Sequence, residues 1–209
     1  MKKSIALVMM AVLLVAASVM GTLAYLTSTD SVTNTFTVGK VKITLDEAKV
    51  MEDGKPVEGA ARVKANSYKL LPGHTYTKDP MVTVLKGSEP SYIKMTVTFS
   101  MAKELDAIFA PTGADLTSIF NGYDAANWIA KGNTKDANAN TRTYEFWYKE
   151  PVGAPTADVA LDALFDFITV PGDITQEQLE TIEDMTITVN AYAIQADGST
   201  DATDAWNKY

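Results

Sequence analysis

Ile93-Lys94-Met95-Thr96-Val97-Thr98-Phe99-Ser100 sets four apolar side chains against four polar ones in strict alternation. A period of two is the repeat of a half-buried strand. The stretch therefore predicts a strand lying centrally in a sheet, with its Thr/Lys face toward solvent. Upstream, Gly87-Ser88-Glu89-Pro90 breaks the chain, and Met81 to Leu85 reads as a strand buried on both faces. Leu71-Pro72-Gly73-His74 is a turn, with Pro72 presetting φ and Gly73 free to take the left-handed corner. Tyr68 to Leu70 reads as a short strand, Met51 to Pro56 as a turn around Gly54, and Val41, Ile43 and Leu45 as the inward face of a first strand.

Downstream, Leu105, Ile108 and Phe109, then Leu116, Ile119 and Phe120, fall at helical spacing and predict a helical insertion over about 101–128. Lys131 to Asn140 is a polar, Asn-rich loop or hairpin tip. Thr143 to Lys149 is a strand dense in aromatics, with Tyr144, Phe146 and Tyr148 on one face and Trp147 on the other. Leu161, Leu164 and Phe165 fall at helical spacing within Val159 to Phe167. Thr175-Gln176-Glu177-Gln178 has the form of a capping box opening a short helix to about Asp184. Met185 to Ala193 alternates as a final strand, and 197–209 is a polar, acidic tail, frayed or forming a short helix, with Trp206 its only large apolar residue. Six to eight strands with turn signals and no regular βαβ alternation predict a mainly β protein, an antiparallel sandwich over 37–196 with short helical insertions.

The opening of the chain has a different character. Lys2 and Lys3 precede an apolar run from Ile5 to Met20, and Gly21-Thr22-Leu23-Ala24 supplies small residues before Tyr25. Charge, apolar helix and small-x-Ala in that order are read by a signal peptidase, so 1–24 is expected to be a signal helix cut between Ala24 and Tyr25. The other reading is a retained anchor, since Ile5 to Leu26 is nearly long enough to span a bilayer. On either reading Tyr25 onward lies outside the cytoplasmic membrane, and the only membrane contact expected is through the uncleaved signal. Residues 25–36 are mostly Ser, Thr, Asp and Asn and are expected to be flexible on their own.

The run Gly21 to Tyr25, the polar spacer Thr27 to Asn34, Thr35-Phe36-Thr37-Val38-Gly39 and the strand from Lys40 to Leu45 resemble the export class of the TasA and camelysin family. Leu71-Pro72-Gly73 leading into Lys78-Asp79 and the strand Ile187 to Ala193 fit the same family. Its members are cell-surface and biofilm-matrix proteins of Gram-positive bacteria, matured by a dedicated signal peptidase. The resemblance implies a jelly-roll sandwich and a secreted fibre subunit that polymerises with itself by strand exchange. Residues 25–36 would be the donor, with Leu26, Val32 and Phe36 filling the neighbour's pockets. Some members are described as metalloproteases, which keeps an enzymatic alternative open.

Composition limits the partners. The chain carries a net charge of −8, and loss of Lys2 and Lys3 with the leader deepens it to −10. Nucleic acid is excluded as an expected partner, because affinity for it comes largely from Lys and Arg neutralising phosphates. The absence of cysteine rules out disulfides, thiol catalysis and Cys-ligated metal. The single histidine, His74, cannot form His-Glu-x-x-His, and it reads as a turn residue. Asp173, Glu177, Glu180, Glu183 and Asp184 read as a solvated helix face, and Asp197 to Asp201 lacks the bidentate Glu of a calcium loop. No catalytic residue, cofactor or metal is expected. The aromatic row leaves one binding alternative, a carbohydrate-binding adhesin in which Trp128 and Trp147 stack on sugars, a reading that both rings facing solvent on one concave sheet would strengthen.

Overall fold

The strand read from Ile93 to Ser100 belongs to the longest strand among the described residues. In the computed structural model it is β4, Ser91–Ser100, and the side chains of Ile93, Met95, Val97 and Phe99 are all buried. The structure describes Met9, 39–109 and 120–208. The chain divides into two units, Met1–Val38 and Gly39–Tyr209, and everything below concerns the second. The signal helix, the Ala24/Tyr25 cut and the donor residues Leu26, Val32 and Phe36 lie outside the described residues.

The protein is mainly β, with 37% strand and 12% helix among the described residues. β4 is central in a four-stranded antiparallel sheet, between β10 (Ile187–Gln195) and β7 (Thr141–Tyr148), with β6 (Trp128–Asp136) beyond β7. A second sheet orders β1 (Ile43–Asp46), β3 (Met81–Val84) and β8 (Val159–Ala160). A third orders β2 (Thr75–Thr77), β9 (Phe167–Thr169) and β5 (Phe120–Asn121). One core joins the three. Val82 and Val84 of β3 meet Met95 and Val97 of β4, Tyr144 and Phe146 of β7, and Phe120 of β5. Phe120 stacks on Phe165 with ring centroids 4.2 Å apart and meets Tyr144 edge-on at 5.9 Å. Each such fully buried side chain contributes roughly 1.5–3 kcal/mol through its apolar area.

Several sequence expectations are corrected. The helical insertion over 101–128 reduces to α1, Ala102–Phe109, among the described residues. Phe120 is in a strand, and Trp128 opens β6. Leu161, Leu164 and Phe165 are buried as the spacing implies, but no helix carries them. Their backbone bonds go outward instead, from Leu161 N to Val82 O and from Leu164 N to Pro80 O. Short apolar runs look alike at either period when the segment is buried all round. Tyr68 to Leu70 is irregular, the strand forming at Thr75–Thr77 instead. Val82 and Val84 are fully buried while Met81 and Thr83 are only half-buried, so β3 is not covered equally on both faces. The Asn-rich stretch is mostly the exposed arm of β6, its tip closed by Asp136 Oδ1 accepting from Asn138 N and Ala139 N.

Two local signals act as read. Thr175 Oγ1 accepts from Gln178 N, and Gln178 Oε1 accepts from Thr175 N, opening α2 (Gln176–Glu180). The polar stretch after Ala196 folds as α3 (Ala202–Asn207), capped by Asp201 and docked through Ala205 and Trp206 onto Tyr92 of the four-stranded sheet. Asp201 thus serves as a helix cap, accepting from Asp204 N at 2.9 Å.

Candidate functional site

β10 and β1 are both edge strands, and they differ in what covers their outer sides. On β1, Ile43↔Val84 and Leu45↔Val82 are register partners. Val82 O is engaged by Leu161 N on the β8 side, so the alternation of an antiparallel ladder turns the main-chain groups of Ile43 and Leu45 outward. Part of that edge is sealed. Glu47 exchanges two backbone bonds with Val63, at 2.9 and 2.8 Å, and Lys64 Nζ donates to Leu45 O. On β10, Thr186 O accepts from Ser100 N and Ala196 N donates to Pro90 O. The same alternation turns the main-chain groups of Ile187, Val189, Ala191 and Ala193 outward, and no described strand is hydrogen-bonded to them, although β1 packs near this edge.

Between this edge and the chain from Val63 to Leu71 runs a groove of about 1350 Å³. Its apolar lining includes Leu45, Leu70, Leu105, Met185, Ile187 and Val189. The side chains of Ile187, Val189, Ala191 and Ala193 pack partly buried against the main core. An edge of seven residues offers a guest strand about 23 Å of backbone at the rise of an extended chain. Apolar side walls thus stand beside an open row of N–H and C=O groups, an arrangement that folded proteins normally block with charge, proline or cover.

The far wall is a polar cluster that the sequence did not reveal. Lys78 Nζ donates to Glu47 Oε2 at 2.5 Å, with both residues 6% exposed. Asn66 Nδ2 donates to Glu47 Oε1 at 2.9 Å and to Ala48 O at 2.8 Å, while Asn66 Oδ1 accepts from Val50 N at 3.0 Å. Beside it Arg62 bridges Asp46, Nε to Oδ1 at 2.5 Å, and Asp79, Nη1 to Oδ2 at 2.7 Å. Tyr68 roofs the cluster, its ring centroid 6.0 Å from Lys78 Nζ. Burial, helped by the Glu47 charge, pushes its phenol well above the ordinary value. Sequence reasoning singled out Lys78-Asp79 only as part of a family pattern. Their partners lie 31 and 17 residues away, at Glu47 and Arg62, a closeness that only the fold creates.

The sugar-stacking residues do not converge. Trp128 is 1% exposed, and its Nε1 donates to Asp162 O at 3.1 Å inside the core. Trp147 is half-buried on the opposite face, with Lys131 Nζ 4.1 Å from its ring centroid and Trp206 beside it at 6.4 Å. The two rings therefore do not face solvent together on one sheet. His74 is exposed in its turn, its ring 6.3 Å from that of Tyr76. Among the described residues no three His, Cys, Asp or Glu side chains group as metal ligands would. Comparison of the chain with protein-family models, with curated proteins and with solved structures gives no match.

Proposed function

We propose that this is an exported structural protein of a bacterial cell surface or biofilm matrix, a fibre subunit of the TasA-like kind with a jelly-roll-like sandwich. Residues 25–36 of one copy, released by cleavage after Ala24, add as a strand to the β10 edge of the next. The observation that carries this reading is the groove beside the first half of β10, where outward main-chain groups of Ile187 and Val189 lie next to an apolar trough and the same open edge continues through Ala191 and Ala193. Backbone bonds would supply the affinity. Leu26, Val32 and Phe36 would enter the trough as the donor's apolar side chains. Because donor and acceptor are different surfaces, the contact is head-to-tail and propagates as a filament.

The test is to purify the mature chain and a version lacking 25–34, and to compare them by electron microscopy and sedimentation. The expected result is filaments from the first and monomers from the second. Filaments unchanged by the deletion overturn the donor role.

A further inference from the structure

Lys78, Glu47 and Asn66 form more than an ion pair with a polar neighbour. A primary amine and a carboxamide are held on the two oxygens of a single carboxylate, Nζ on Oε2 at 2.5 Å and Nδ2 on Oε1 at 2.9 Å. Lys78 and Glu47 are each 6% exposed. The carbonyl oxygen of the same carboxamide already accepts a backbone N–H, from Val50, at 3.0 Å. The amide orientation is fixed by its neighbours, since Oδ1 faces a donor and Nδ2 faces the acceptors Glu47 Oε1 and Ala48 O. These are the parts an amide exchange requires: a nucleophile, an electrophilic carbonyl, a donor for the oxygen that becomes negative, and a group to carry the proton.

We propose that this cluster joins Lys78 to Asn66 through an intramolecular amide bond. Lys78 gives one proton to Glu47 along the 2.5 Å hydrogen bond, which removes two buried charges at once. The neutral Nζ attacks Asn66 Cγ, and the negative charge that develops on Oδ1 is met by Val50 N–H. Glu47, now a carboxylic acid, protonates Nδ2 as the Cγ–Nδ2 bond breaks. Ammonia leaves, and the second Nζ proton returns the system to a neutral amide and a Glu47 acid that exchanges with solvent. One C–N bond forms and one breaks, so no oxidant, reductant or cofactor takes part. The burial of Lys78 and Glu47, with Nζ lying over the ring of Tyr68, limits the water that would compete for the carbonyl. In a chain without cysteine, such a bond would supply the covalent tie that a disulfide cannot. It would fasten the groove's roof to the segment entering β3. The cross-link is independent of strand addition.

Mass spectrometry of the folded full chain, intact and after proteolysis in denaturant, tests this. The expected mass is that of the sequence less one ammonia, with a branched peptide joining the Asn66 and Lys78 fragments and no cleavage by trypsin after Lys78. Glu47→Gln, which keeps the shape but cannot carry the proton, should restore the full mass. Asn66→Asp should give the same branched product by loss of water. A wild-type mass equal to the uncross-linked chain overturns the proposal, and so does an ammonia loss that maps to a linear peptide around an asparagine.

Discussion

Gly54 shows how one residue can settle a turn that many others could decorate. Its φ is +82°, and a Cβ built there would stand 2.6 Å from the Cα of Tyr76. Its carbonyl accepts from Thr77 N at 3.0 Å, so the turn is strapped to β2 from both sides. Gly54→Ala meets a left-handed backbone and a main-chain collision together. We expect a loss of about 2–3 kcal/mol in chemical denaturation, toward the upper end of the roughly 1–3 kcal/mol that a single strained φ costs. The need for glycine was legible from Glu52-Asp53-Gly54-Lys55, but its neighbour was not. Tyr76 is brought there by pairing with Ile168, which no local pattern announces. Trp128 teaches the same lesson in reverse. Its type suggested an exposed stacking platform, and its place at the start of β6 puts it 1% exposed in the core.

Among the elements, β10 is the one whose edge matters most. Proline is tolerated on an edge strand where the lost N–H points away from the sheet. Val189 N–H points that way, so Val189→Pro should cost the isolated domain little while removing a donor that a guest strand would need. The expected outcome is an unfolding midpoint close to that of the parent and no filaments by electron microscopy; filaments of ordinary length would remove β10 as the acceptor. Strands with clean alternation, β4 above all, were readable because one face of each is buried and register follows. The segments around Phe120 and Leu161 to Phe165 were misread as helical. Their side chains are buried on more than one side, so spacing alone carried no information about the backbone. Among the described helices, α1 follows the periodicity of Leu105, Ile108 and Phe109, whereas α2 and α3 are five and six residues long and are marked by their caps.

At the scale of the whole molecule, buried phenols set an alkaline limit. Burial raises Tyr68, Tyr76, Tyr123 and Tyr148 above the ordinary 10.0, with the Glu47 charge adding at Tyr68. A raised folded value means that the stabilisation is fully present below the unfolded value and is lost as pH rises toward the folded one. The thermal midpoint should therefore hold up to about pH 10 and fall beyond it. Tyr68→Phe should shallow that fall; an identical slope in the variant would show that Tyr68 is not among the groups responsible. The general architecture, antiparallel and mainly β, was legible because turn signals separate the strands. The groove and its polar wall were not, since they depend on which strands become neighbours across the fold. That long-range pairing also governs how the chain reaches its native state. β4 pairs with β10 from Ser91↔Gln195 to Phe99↔Ile187, a separation of roughly ninety to a hundred residues. Loops of that size close slowly. Until they do, Ile93, Met95, Val97 and Phe99 lack the cover that Ile187, Val189, Ala191 and Ala193 give them in the finished core. A nascent copy would carry an unfinished, adhesive stripe until that pairing forms, and during that interval a holding chaperone would do it most good.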